Sequence, residues 1–348
     1  MSQDKSEHIL VIRLSALGDV ALSVPVLLTL LEQNPDVKIS FLTKPFYSKI
    51  LKDIPGLDVV EAKVKSKHKG IFGLKLLSKE LDALALTAIA DIHDVLRTKI
   101  LNFFFKTKGH KIRVIDKGRK AKKDLTSLNQ KIIKPLKHTT ERYADVFRAF
   151  GFEVDLSQPV FLKSRILEER FKNKIEFKNS NKNIGIAPFA AHQGKVYPSD
   201  LMQTCVDELS KEQNLNIYLF GSPNNEASML DDWAKPYKNV FCIAGQFDFE
   251  VELDLISNLD LMLSMDSGNG HLAAMYGVKV ISIWGQTHPF AGFAPYHQPG
   301  ERQILPDLKK YPLIPTSIYG NKSVKGYESV MRSIEPERII DAVKKELD

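Results

Sequence analysis

Residues 13–25 read RLSALGDVALSVP. The apolar run ILVIRL (9–14) feeds straight into Ser15, and Gly18 and Asp19 then introduce a second apolar run. A short apolar run that stops at small residues and restarts with helical character reads as strand, tight turn and helix. Pro25 fits a first turn or a helix restart better than a helix interior. The turn therefore carries a lone carboxylate, Asp19, just beyond a strand end.

The same alternation continues outward. HILVIRL, VKISFLT (37–43), LDVVEA (57–62), ALALTAIADI (83–92) and KIRVID (111–116) read as strands. PVLLTLLEQN, FGLKLLSKEL and LRTKILNFFFK read as the helices between them, and HTTERYADVFRAFGFEV as a helix with a Thr N-cap and Gly151 as its stop. Strands alternating with helices predict a parallel sheet covered on both faces. After a polar stretch at 157–182, expected as a helix plus linker, the pattern restarts. NIGIAPFA (183–190), LNIYLFG, NVFCIAG, LDLMLSMD and VKVISIWG are its strands, with helices near 199–214, from Asn224, at 249–258 and at GHLAAMYG. Tyr311 to Tyr327 reads as loop and IEPERIIDAVKKELD as a helix. The expected fold class is α/β, with two doubly wound Rossmann-like domains at 1–160 and 161–330. A C-terminal helix occupies 331–348, packing back on the N-terminal domain being one option for it.

Composition agrees. The 348 residues exceed the ~250–300 at which single cores stop growing, and 43% of them are hydrophobic, enough for real cores. The two cysteines, Cys205 and Cys242, have no CxxC spacing, so neither a disulfide framework nor a zinc site is indicated. The N-terminus does not read as a signal peptide, and no window approaches the ~18 apolar residues of a membrane span. A cytoplasmic location is the simplest expectation. The net charge of +7 is unevenly spread: residues 1–150 carry 28 Lys and Arg against 16 Asp and Glu, and residues 151–348 carry 21 against 26. A basic half beside an acidic one predicts that the first half meets something anionic.

Open parallel sheets bind ligands beyond the carboxyl ends of their strands, so functional groups are sought there. Asp19 reads either as a first-turn carboxylate favoured by the helix dipole or as a general base accepting a hydroxyl proton. Lys195, in AAHQGKVYP, is either a solvated loop lysine or a cation for a leaving phosphate. In MDSGNGHLAAMYG (265–277), Ser267, Gly268 and Gly270 allow close backbone approach at a helix N-terminus suited to an anion. Asp266 there would repel a diphosphate and is expected to hold the turn through loop N–H groups. His271 either pairs with phosphate oxygens or is an ordinary first-turn histidine. Glu226 is placed to hold ribose hydroxyls or to sit in a first helical turn. Two basic runs, KVKSKHK (63–69) and KTKGHKIRVIDKGRKAKK (106–123), are expected to share the first domain. The second holds nine Lys and Arg against one acid. In DIHDVLRTK, His93, Arg97 and Lys99 cluster after a strand and could hold an acidic acceptor. The basic runs lack aromatic interleaving and a nucleic-acid motif, so nucleic acid is not the expected partner. No carboxylate pair reads as a divalent-ion site, so neither metal nor cofactor is expected.

RLSALGDVALSVPVL, DIHDVLRTKIL, GKVYPSD, FGSPNNE, MDSGNGHLAAMYGVKVISIWGQTHP and IYGNKSVKGYESVMRSIEPERI occur in the order seen in lipopolysaccharide heptosyltransferases. Over nearly its whole length the chain resembles glycosyltransferase family nine. The resemblance implies the GT-B architecture and an inverting transfer of heptose from ADP-heptose to an anionic lipid A–core acceptor. It implies peripheral contact with the inner face of the cytoplasmic membrane, an acceptor-binding N-terminal domain and a nucleotide-sugar-binding C-terminal domain. By the same resemblance, Asp19 matches the catalytic base and Lys195 the phosphate-contacting lysine. Asp266, Ser267, Gly268 and His271 match the diphosphate loop, and Glu226 falls near the ribose-binding glutamate. Tyr197 stands where the family pattern K-x-W-P has tryptophan, and Asn269-Gly270 replaces a more usual apolar-or-small pair. Both departures border the donor site. The alternatives are a nucleotide-sugar epimerase or hydrolase of the same fold, and a non-catalytic basic protein binding nucleic acid or anionic lipid.

Overall fold

The structure, a computed structural model, describes residues 7–172, 174–175 and 180–348. It divides into two compact units, each built on one parallel sheet.

The first unit runs through Lys117 and adds Thr139–Leu162. Its strands are β1 (His8–Ile12), β2 (Lys38–Thr43), β3 (Leu57–Glu61), β4 (Ala88–Asp91) and β5 (Lys111–Val114). They lie in the order β3-β2-β1-β4-β5, all parallel. Its helices are α1 (Leu17–Ala21), α2 (Val24–Gln33), α3 (Pro45–Leu51), α4 (Gly70–Asp82), α5 (Leu96–Lys106) and, beyond the α6 described below, α7 (Thr139–Arg148). β1 is buried at every position because helices cover both faces, which is why its sequence is a continuous apolar run rather than an alternation. Pro25 sits in the first turn of α2, where no N–H is missed. Gly151 takes φ 99° just past α7, as expected of a helix stop.

The second unit holds α6 (Arg119–Leu125), α8 (Glu169–Lys172), α9 (Ser199–Leu209), α10 (Asn225–Ala234), α11 (Phe249–Ile256), α12 (Gly268–Met275) and α13 (Pro336–Leu347). Its strands are β6 (Lys182–Ala187), β7 (Leu215–Leu219), β8 (Val240–Cys242), β9 (Leu261–Met265), β10 (Lys279–Ile283) and β11 (Gln303–Ile304). Their order, β11-β10-β9-β6-β7-β8, is the doubly wound dinucleotide-fold order.

The domain boundaries differ from the expected ones. Residues 118–138 belong to the second unit, so the chain passes between units three times rather than once. Their partners explain this: Leu136 N–H donates to the Phe290 carbonyl, His138 Nε2 lies 2.8 Å from the Ala294 carbonyl, and Lys131 Nζ donates to the Pro315 carbonyl. The second basic run is thereby split at 117/118 and does not stay in the first domain. The C-terminal helix α13 packs on α9, β9 and β10, with Ile339 and Val343 in one core with Met202, Cys205 and Val206. Its place is in the second unit. Among the described residues of the 157–182 stretch, Glu169–Lys172 is the helical part; residues 173 and 176–179 lie outside the described residues. Residues 1–6, on which the signal-peptide reading partly rests, also lie outside them. Among the described residues no helix is long and apolar enough to cross a membrane.

Candidate active site

In each sheet the strand order reverses once, between β1 and β4 in the first unit and between β6 and β9 in the second. The loops leaving such a pair diverge to opposite faces and open a crevice at the carboxyl ends. Asp19, His93, Arg97, Lys99, Lys195 and the 266–271 loop follow these four strands, whereas Glu226 follows β7.

In the first unit Asp19 sits in the first turn of α1, its side chain 26% exposed. Its Oδ2 receives the Arg13 guanidinium and the Ala16 N–H, and its carbonyl accepts from Tyr143 Oη at 3.3 Å. None of these contacts falls on Oδ1. Arg13 is buried, donates to the Ile92 carbonyl at 2.7 Å and lies over the Tyr143 ring. Burial drives the Tyr143 hydroxyl pKa well up, keeping it a neutral donor.

The β4 loop is organised by Asp91, which is fully buried. Its Oδ1 accepts the N–H groups of His93 and Asp94, both at 2.9 Å, and its Oδ2 accepts Asn102 Nδ2 at 2.7 Å. His93 is consequently turned inward. The Leu14 N–H donates to its Nδ1, and its Nε2 faces Ser15 Oγ at 3.5 Å. Burial first, then the Arg13 and Lys117 cations, push its pKa down to about 3. His93 is thus a neutral prop beneath the Asp19 turn, whereas Arg97 and Lys99 face solvent, Lys99 Nζ standing 3.6 Å from Asp94 Oδ1. A cavity of about 530 Å³ after β2 and β3 is lined by Lys44, Tyr47, Lys63 and Lys65, with Glu61 on its wall. Burial, then Arg97 and Lys65, lower the Lys44 pKa, so cations from three loops share one neighbourhood.

In the second unit Lys195 and Asp266 form an ion pair at 2.8 Å, Lys195 Nζ also donating to the Asp266 carbonyl at 3.1 Å. The other donor to the Asp266 carboxylate is Thr287 Oγ1 at 2.8 Å. Asp266 therefore holds its loop through two side chains, not through the loop N–H groups expected from the sequence. Ser267 is the N-cap of α12 but its hydroxyl makes no cap bond, pairing instead with Ser264 Oγ at 3.2 Å. The first turn of α12, from Gly268, is thus not capped by Ser267. His271 is buried in that helix. Gly270 is closely packed: a Cβ there would meet Ser264 Oγ and Val280 Cγ1 at 3.3 Å. Glu226 accepts the Ser222 N–H at 2.6 Å from the first turn of α10 and so ties down the β7 loop. Tyr197, the departure from K-x-W-P, is a core residue: its ring is buried and its hydroxyl donates to the Ile334 carbonyl at 2.6 Å.

Sequence reasoning missed Arg13, Asp91 and Thr287, and the glycines that seat Lys195. The Gln286 N–H donates to the Gly194 carbonyl at 2.8 Å, and a Cβ on Gly285 would stand 2.4 Å from that same oxygen. A Cβ on Gly320, at φ 75°, would stand 2.6 Å from Lys195 Cγ. Asp91 had a readable signal: an aspartate that ends a strand and enters a loop is an Asx-turn candidate. Among the described residues no group of three or more His, Cys, Asp or Glu side chains is placed to hold a metal ion.

Two Rossmann-type parallel sheets in one chain, each with its polar groups at the strand-order reversal, define the GT-B class of α/β proteins. A family model described as glycosyltransferase family 9 (heptosyltransferase) matches residues 75–311, and the chain belongs to that family. It is a glycosyltransferase. It is 26% identical over 294 residues to a lipopolysaccharide core heptosyltransferase, OpsX, of Haemophilus influenzae, covering 82% of this chain and 81% of that one. It is 24% identical over 332 residues to lipooligosaccharide heptosyltransferase 2 of Campylobacter jejuni, covering 94% of each. Among solved structures, a family 9 glycosyltransferase of Veillonella parvula superposes with a TM-score of 0.76 at 20% identity, over 100% of this chain and 98% of that one. The E. coli heptosyltransferase WaaC with ADP gives 0.70 at 14% identity, over 97% and 99%. These superpositions establish the fold.

Proposed function

We propose that this protein transfers heptose from ADP-heptose to the inner core of lipopolysaccharide, with inversion at the anomeric carbon. Family membership supports the reaction class, and the names of the relatives above support the sugar and the acceptor. The observation that carries the assignment of roles is the placement of Asp19 and of the Lys195–Asp266 pair at the strand-order reversals of their sheets.

The chemistry follows from the groups present. The diphosphate of the donor lies at the first turn of α12, where backbone N–H groups of Ser267 and Gly268 meet its oxygens. Lys195 and His271 add side-chain donors, and Glu226 takes the ribose hydroxyls. Asp266 orients Lys195 rather than touching phosphate. An acceptor hydroxyl attacks the anomeric carbon, the carbon–oxygen bond to the diphosphate breaks, and ADP leaves. The hydroxyl proton goes to Asp19, whose Oδ1 is available while Arg13 and Ala16 hold Oδ2. General-base assistance of this kind is typically worth ~10²–10⁴-fold. Arg97, Lys99 and the lysines after β2 and β3 hold the acidic groups of the acceptor, with His93 as a support beneath the turn. Such an acceptor places the enzyme peripherally at the inner membrane face.

The test is direct. Incubation with ADP-heptose and a heptose-free core acceptor yields ADP and an acceptor heavier by one heptose, with α/β configuration inverted at the transferred sugar. Conversion of the donor alone, without acceptor, would instead indicate epimerase or hydrolase chemistry. The fold itself does not choose between them.

A further inference from the structure

Helices α4 and α5 lie side by side on one face of the first sheet. Their inner faces are core: Leu74, Leu77 and Leu81 of α4 meet Leu101 and Phe105 of α5 over Leu10, Ile12 and Ile89. Their outer faces are not the polar surfaces that a solvated helix pair normally carries. Phe72 is 88% exposed, Leu96 76% and Phe103 63%, and Ile71 and Leu76 of α4 are exposed as well. Single exposed apolar residues mean nothing, but two adjacent helices that each present them mark a contact surface.

The charge around this strip has one sign. Lys75 and Lys79 share the exposed face of α4, and Lys106 closes that of α5. Lys69 flanks it from the preceding loop. Of the acids on α4, Glu80 is paired with Lys67 at 2.7 Å and Asp82 with Lys108, so neither offsets the lysines facing outward. Aromatic and leucine side chains framed by lysines match an interface with anionic headgroups over acyl chains.

Topology gives the strip its direction. Both helices return antiparallel to the strands they connect, so their N-termini lie at the carboxyl ends of β3 and β4. Phe72 and Leu96 sit at those N-termini, on the edge of the unit that also carries the Asp19 turn, Lys44 and Arg97. We infer that the outer faces of α4 and α5 form a docking surface for an anionic phospholipid bilayer, with Phe72, Leu96 and Phe103 inserted below the headgroups. This lays both helices along the membrane, from Phe72 and Leu96 at their N-termini to Phe103 in the last turn of α5, so that the carboxyl ends of β3 and β4 lie beside the surface where a glycolipid's sugar emerges. The inference rests on the reading that the acceptor is membrane-borne.

Sedimentation with vesicles of phosphatidylcholine containing 30% phosphatidylglycerol, on the order used to mimic anionic leaflets, tests it. The full chain is expected to bind these vesicles and to bind pure phosphatidylcholine at least about tenfold more weakly. Phe72→Ser/Leu96→Ser/Phe103→Ser should lose binding about tenfold or more at unchanged Tm. Lys75→Glu/Lys79→Glu/Lys106→Glu should lose the anionic preference. Both variants should still transfer to a delipidated, water-soluble core oligosaccharide. Vesicle binding unchanged in the triple serine variant overturns the proposal, as does a dimer in solution that the same substitutions dissociate. If the wild type transfers to the soluble acceptor yet ignores vesicles, docking fails and the transferase reading stands. Vesicle binding lost as described, with no transfer to any acceptor, supports docking and defeats the transferase reading.

Discussion

Replacing Lys195 with methionine should separate stability from catalysis at one residue. The ammonium is paired at 2.8 Å with Asp266, and the two side chains are 16% and 7% exposed. Methionine keeps the stem of the side chain and removes the charge. Asp266 is then a nearly buried carboxylate whose remaining donor is Thr287. Breaking a buried pair on one side costs about 3–5 kcal/mol; partial exposure of Lys195 and the surviving Thr287 bond reduce this to about 2–3 kcal/mol. For a unit of this size the melting temperature should fall by about 4–12 °C. Adding Asp266→Asn removes the orphaned charge, so the double variant should melt within about 2–4 °C of wild type, a positive coupling in the double-mutant cycle. Turnover should behave differently. If Lys195 stabilises the departing diphosphate, its loss costs about 10²–10³-fold in kcat, and the second substitution returns none of it. Differential scanning calorimetry and an ADP-release assay read the two effects. A Lys195→Met protein that melts like wild type, or a double variant that regains turnover, would refute the reasoning.

Asp19→Asn should lower kcat by about 10²–10⁴-fold while ADP affinity, read by calorimetry, stays within about threefold; a large loss of ADP binding contradicts the base role. Gly320→Ala places a methyl against Lys195 Cγ at a φ of 75°, so Lys195 should swing away and kcat/KM should drop at least about tenfold; unchanged kinetics would mean that the side chain is not seated by that loop. His93, with its pKa pushed down to about 3, stays neutral in the folded protein, while the unfolded chain protonates it near ~6.5. Its contribution is fully present above ~6.5 and is lost as pH falls towards 3, at up to ~1.4 kcal/mol per pH unit. Urea unfolding of His93→Gln should show a shallower loss of stability between about pH 6.5 and 4 than wild type does, and an equal slope would count against the assignment.

The parallel sheets were legible because burial on both faces writes a strand as an unbroken apolar run, and because Gly18, Gly221 and Gly268 punctuate the strand ends. The loops bearing Asp19, Lys195 and Asp266 could be found for the same reason. What periodicity does not encode is which side chain a loop residue will meet. Lys195 and Asp266 are 71 positions apart, and each was read alone, so their mutual neutralisation went unseen. His93 looked like a surface ligand beside Arg97 and Lys99, but Asp91 draws its backbone inward, an effect of three hydrogen bonds rather than of composition. Residues 118–138 carry the charge of the first unit and the partners of the second, so composition assigned them to the wrong sheet.

That excursion of 118–138 constrains how the chain matures as it is made. Lys131 and His138 bond to carbonyls 184 and 156 positions later. At ~5–20 residues per second, a ribosome supplies those partners roughly 10–40 s after the segment emerges. Over that interval the carbonyls of Phe290, Ala294 and Pro315 are not yet made, while the strands on its N-terminal side can already pair. Nascent-chain surveillance should accordingly find this stretch to be a holding site for chaperones. A gene cut after residue 160 should yield a protein with a sticky, protease-sensitive arm.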